Sequence, residues 1–202
     1  AHFLNLYYVG KVGKMDIDMN VDYLYNNSRD NTLTLEQSQS RTSRTVTSNH
    51  LERNRLFASK LTLGYPLLGG NLSAGAEYTY TNRNDDYINP EHYVPTSYAQ
   101  LKESNIAPFV EYTHMLPICQ LTVGLRWENT RFNYYEDGQH VPSQSRSFSN
   151  LFPSISAATQ IGNVQLQLAY AAKTRRPSYS QLSNNVSYGN RFLLQSGNPL
   201  LK

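Results

Sequence analysis

The chain has 202 residues, enough for one domain with its own core, and nothing in its length forces a second. Only 39% of residues are hydrophobic, mean hydropathy is −0.56, and apolar runs last a few residues, so no helix of the ~20 apolar residues that span a bilayer is expected. A net charge of +3 with scattered Lys and Arg argues against a nucleic-acid partner, and the lone Cys119 excludes a disulfide-stapled domain.

In chain order, residues 3–9 read as a short strand ending at a turn over 10–14, where Gly10 and Gly13 supply unusual backbone angles. Residues 15–25 carry the clearest pattern. Met15, Ile17, Met19, Val21, Tyr23 and Tyr25 share one face, and Asp16, Asp18, Asn20 and Asp22 the other. After a polar stretch over 26–54, a noisier strand at 55–65 meets a turn at 66–70. A clean strand follows at 71–81, with Leu72, Ala74, Ala76, Tyr78 and Tyr80 opposite Ser73, Glu77 and Thr79.

The cycle repeats twice more. A polar stretch at 82–104 precedes a strand at 105–114, a turn at 115–118, and a strand in which Leu121, Val123, Leu125 and Trp127 oppose Thr122, Arg126 and Glu128. Another polar stretch at 131–151 precedes a strand at 152–159, a turn at 161–163, and Val164, Leu166, Leu168 and Tyr170 set against Gln165 and Gln167. Pro108 and Pro153 lie inside two of these strands and push them toward sheet edges or strand starts, because proline cannot donate to a ladder.

Strands of about 9–12 residues suit a tilted bilayer crossing, and low overall hydropathy is no obstacle, since only alternate residues face lipid. Short turns alternate with long polar connections, the arrangement of a membrane barrel with short periplasmic turns and long extracellular loops. The expected fold is therefore all-β: an antiparallel up-and-down meander of about eight strands, a segment of a transmembrane β-barrel covering residues 1–202. The alternatives are a soluble β-sandwich used for adhesion or carbohydrate binding, and a small barrel closed on itself.

From Tyr170 the chain reads Y-A-A-K-T-R-R-P-S-Y, and later S-Y-G-N-R-F-L-L-Q-S-G-N-P-L-L-K. Arg176, Pro177, Ser178 and Tyr179, then Gly197, Asn198, Pro199 and Leu201, resemble the barrel region of TonB-dependent outer-membrane receptors, in which the first motif ends one strand and the second opens the next. The segments 124–130 and 150–155 are similar to Bacteroidetes members of that family. The resemblance implies an excised part of a receptor in the cell outer membrane, without its plug domain and remaining strands. It also implies uptake of a scarce small-molecule ligand, such as a metal chelate or oligomer, with outer-membrane lipid and TonB as partners.

No catalytic, cofactor-binding or metal site is expected, and the ligand-binding residues are unknown. Asp16, Asp18, Asn20 and Asp22 fail the calcium-loop pattern at Val21 and Asn27 and read instead as a water-facing wall. His2, His50, His92, His114 and His140 lack metal-ligand spacing. No Gly-x-Ser-x-Gly elbow is present, so an enzyme is not expected. Asp85, Asp86 and Glu91 read as solvated loop acids. Tyr87, Tyr93, Tyr98, Tyr134 and Tyr135 are better suited to an interfacial girdle than to stacking on a ligand.

Overall fold

A computed structural model of the chain describes residues 1–37, 39, 41–198 and 200–201. Eight long strands follow one another in one antiparallel sheet: β1 (His2–Val12), β2 (Met15–Glu36), β3 (Arg44–Leu67), β4 (Gly70–Ile88), β5 (Ser97–Met115), β6 (Gln120–Glu136), β8 (Arg146–Ile161) and β9 (Val164–Ala171). A two-residue strand, β7 (Gln139–His140), folds back on the end of β6. The remaining chain forms a 3-10 turn at Pro142–Gln144, one α-helical turn, α1 (Tyr179–Leu182), and a small hairpin of β10 (Val186–Asn190) and β11 (Leu193–Ser196). The four turns expected from sequence each join a paired hairpin. A sandwich would need a second sheet covering the apolar face, yet those side chains are exposed; β1 and β9 each pair one neighbour among the described residues, so the sheet is open.

The register fixes the faces. Val123 pairs Tyr112 and Ile155, Leu125 pairs Val110, and Leu63 pairs Ile17 and Ala74, so the apolar positions of successive strands merge into one continuous outer band. Tyr23, Phe57, Tyr78, Tyr80 and Trp127 edge this band on one side, and Tyr65 and Tyr112 on the side of the tight turns. The opposite, inner face carries Asp18, Asn20, Lys60, Glu77, Thr122 and Arg126.

The strands are much longer than their alternating segments. β3 has 24 residues, roughly 80 Å at ~3.3 Å each, where a crossing needs about 9–11 residues. The stretches 26–54, 82–104 and 131–151, expected as loops, are mostly sheet: β2 and β3 stay paired from Asp16–Gly64 out to Glu36–Arg44. The cause lies in the pairing, since Asn, Ser, Thr and charged residues hydrogen-bond across a ladder as well as apolar ones do while leaving no amphipathic trace. The hairpin of β6 and β7 turns at Asp137 (φ 49°) and Gly138 (φ 78°), left-handed angles that an Asp-Gly pair accepts readily.

Both prolines lie inside interior strands rather than at edges. At Pro108 the β4 partner continues (Ala76), but pairing with β6 lapses between Ile106–Asn129 and Phe109–Arg126. At Pro153 the carbonyl accepts from Ala172 N–H at 3.2 Å, so the position that lacks an N–H points toward β9 where that ladder ends at Ser154–Ala171.

The core lies on the inner face of the projecting half. Ala99, Leu101, Phe132, Tyr134 and Leu182 form one cluster, and Val46, Val94 and Tyr188 another; Leu182 and Tyr188 come from the C-terminal segment, which packs down onto the sheet. The C-terminal segment after β9 thus covers this face.

Candidate functional site: the inner wall and its covering segment

Along the membrane band, the inner wall carries a chain of ion pairs. Lys60 Nζ lies 2.9 Å from Glu77, Arg126 Nη2 lies 2.6 Å from Glu77, Arg126 Nε lies 2.8 Å from Glu128, and Arg176 Nη2 lies 3.1 Å from Glu128. Arg126 on β6 thereby reaches Glu77 on β4 across β5, where Ala107, the partner of Glu77, offers only a methyl group. Partly exposed pairs of this kind contribute little stability each, about 0–1 kcal/mol, but make the wall polar.

Beyond the band, Glu36 at the tip of β2 clasps the C-terminal hairpin. Its carboxylate accepts from the Tyr188 hydroxyl (2.7 Å), Arg44 Nε (2.8 Å), Arg191 Nε (3.0 Å) and the Arg191 backbone N–H (2.7 Å). The Tyr188 hydroxyl, with Arg44 and Arg191, outweighs the penalty of burial and holds this carboxyl down at about 2. Arg44 also stacks over Tyr93, 4.4 Å from the ring centre. Further along, Asn184 donates to Glu136, Ser97 to Asn185, and Tyr179 to Glu103.

The two motifs behind the family resemblance meet in this segment. Arg176-Pro-Ser-Tyr179 lies beyond β9, which ends at Ala171, and opens α1, with Ser178 and Gln181 forming its capping box. Gly197 packs on that turn: a Cβ there would lie 2.5–2.6 Å from the carbonyl oxygens of Ser180, Gln181 and Ser183, so only glycine allows Asn198 N–H to reach Gln181 O at 2.6 Å. Asn198 accepts from the Leu200 N–H through its side chain and from the Leu201 N–H through its carbonyl; Pro199 lies outside the described residues.

Between this segment and the inner ends of β3 and β4 lies a cavity of about 360 Å³. On its floor Asp85, 3% exposed, receives Arg83 Nε at 2.7 Å and contacts His50 Nε2 at 3.1 Å, while Arg83 also pairs with Glu52 at 3.2 Å.

The residues singled out from sequence separate. Asp16, Asp18, Asn20 and Asp22 line the inner face of β2, where Asn20 and Asp22 bond Asn5 and Asp16 pairs with Lys11. Among the described residues, no three His, Cys, Asp or Glu side chains gather as metal ligands. His50 alone of the five histidines enters the cavity; His2 stacks on Tyr25, His114 on Tyr112, His92 lies in a turn and His140 bonds Ser145. Asp85 faces inward, Asp86 outward to Arg53, and Glu91 accepts from the Thr47 hydroxyl and N–H, which lower its pKa.

The five loop tyrosines are not a girdle, because the sheet carries them past the apolar band. Tyr87 faces the cavity, Tyr93 lies under Arg44, Tyr98 and Tyr135 face outward, and Tyr134 is fully buried, its hydroxyl pushed up to about 12 by desolvation. Glu36, Arg44 and Arg191 escaped sequence reading, since Glu36 and Arg191 are 155 residues apart and carry no local signature. Asp137-Gly138 did carry one, a hairpin dipeptide inside a supposed loop.

No curated protein matches the chain. Residues 11–202, which include both motifs, the ion-paired wall and the covering segment, match the model of the outer membrane protein beta-barrel family. The uncovered apolar band, the polar inner wall and this match agree: the chain belongs to the outer membrane protein beta-barrel family and resides in the outer membrane.

Proposed function

We propose that the chain is part of a TonB-dependent outer-membrane receptor that takes up a scarce ligand, such as a metal chelate or an oligomer too large for porins. The reading is supported above all by the placement of the covering segment. The first receptor-like motif, at 176–179, and Gly197 and Asn198 of the second lie where a polar-walled interior opens onto the projecting end of the sheet, and Gly197 packs against the turn opened by the first motif.

In this role the strands are a scaffold, with lipid on the outer band, and the inner wall with the projecting half contacts the ligand. TonB engages through a plug domain, and the protein moves its ligand without chemical change. The test is direct. Full-length protein in detergent should retain the purified periplasmic part of TonB, and its reading frame should encode a plug and further strands. A frame with neither, or no retention of TonB, contradicts the receptor role while leaving the barrel intact.

A further inference from the structure

The 360 Å³ cavity lies at the lower end of the size range of small-molecule sites, and its wall is unusual in chemistry. Every lining residue except Gly197 is polar, and the charges already present are spent on one another: Arg83 on Asp85 and Glu52, Asp85 on Arg83 and His50. An anionic ligand would find no uncommitted cation, and a cationic ligand no uncommitted carboxylate.

What remains is hydrogen-bonding capacity without charge. Gln195 and Ser196 make no side-chain hydrogen bond among the described residues. Asn185 uses its carbonyl oxygen to accept from Ser97 and keeps its amide protons, and Ser183, 5% exposed, accepts from Asn185 N–H and keeps its hydroxyl proton. The His50 and Tyr87 rings, tilted with centres 5.0 Å apart, supply an aromatic flank. Paired donors and acceptors beside an aromatic surface match a ligand that offers hydroxyls around an apolar ring face.

We propose that this cavity binds a neutral, hydroxyl-rich ligand of saccharide chemistry, held between β3, β4 and the covering segment. The proposal names the ligand class of the receptor and rests on the receptor role for access from outside the cell. Binding itself is separable from uptake and is tested separately.

Purified full-length protein in detergent is presented with glucose and maltose, and in parallel with glucuronate and glucosamine, whose added charges the cavity has no free partner for. Saturation-transfer NMR should show ring protons of a neutral sugar in contact with the protein, and the charged analogues should bind no better. Gln195→Leu combined with Ser196→Ala should weaken binding roughly tenfold, as expected from losing one or two hydrogen bonds, with the circular dichroism spectrum unchanged. Tyr87→Ala, which removes the aromatic flank together with the hydroxyl's 3.3 Å bond to Ser187, should also weaken it.

Absence of binding by either neutral sugar, tighter binding of a charged analogue, or binding indifferent to the double variant would overturn the proposal. If sugar binding holds while TonB is not retained, the receptor role falls and the site stands. If TonB is retained while neither sugar binds, the site falls and the receptor role stands.

Discussion

The two halves of the sheet use the same ladders with opposite faces. On β6, Leu121, Val123, Leu125 and Trp127 face outward in the lower half while Thr122, Arg126 and Glu128 face in; in the upper half Asn129, Arg131 and Asn133 face outward, and Phe132 and Tyr134 are buried inside. β5 turns over at the same level, from Val110 and Ile106 outward to Lys102 and Gln100 outward, with Leu101 and Ala99 buried inside. Register and alternation are kept across this crossover, although the β5–β6 ladder lapses at Pro108; what changes is the solvent. Below it the outer face meets hydrocarbon and the inner face water, and above it the outer face meets water while the inner face packs on the covering segment.

That inversion is most exposed to attack where it buries most. Phe132→Ala should cost about 3–5 kcal/mol, the usual loss for a buried phenylalanine, whereas Asn133→Ala, one residue on and facing outward, should stay within about 0.5 kcal/mol. Urea titration of the full-length protein in micelles checks both. Equal losses would mean that the upper half has no inner core.

In the lower half the asymmetry reverses. Val123→Arg, near the middle of the apolar band, should cost about 2–4 kcal/mol and lower folded yield in membranes, while Thr122→Arg should be far milder.

The upper half should also respond to acid through Glu36. Its folded pKa of about 2 lies below the ordinary 4.5, so its clasp adds stability that is full above about 4.5 and disappears as pH falls through about 2. Hydrogen exchange of amides in the hairpin at 187–195 should accelerate across that window. Glu36→Gln should exchange faster already at pH 7 and show no step there. An unchanged acid step in the variant would assign it to another group.

The lower half was legible in the sequence because hydrocarbon on one side and water on the other force strict alternation; all four turns and the faces of Met15–Tyr25 strand residues follow from it. The upper half was not, because Asn27, Arg29 and Asn31 outward and Ser28, Asp30 and Thr32 inward leave no contrast to read, although they pair as regularly as the residues below. Its small apolar set, such as Val46 with Tyr188 or Leu101 with Leu182, gains meaning only when the C-terminal segment lies on it. The cavity was hidden for the same reason: His50, Asp85 and Gln195 share a wall only after the chain has folded back.

The crossover itself is tested most directly by solvent contact at three positions. In a background with Cys119→Ser, a fluorescent label is attached in turn through Val123→Cys, Thr122→Cys and Asn133→Cys in the full-length protein in bilayers. Lipid-borne quenchers should quench the label at 123 alone, and aqueous quenchers should reach those at 122 and 133, although 123 and 133 share one face of one strand. Equal aqueous quenching at 122 and 123 would contradict the membrane band, and lipid quenching at 133 would contradict the inversion above it.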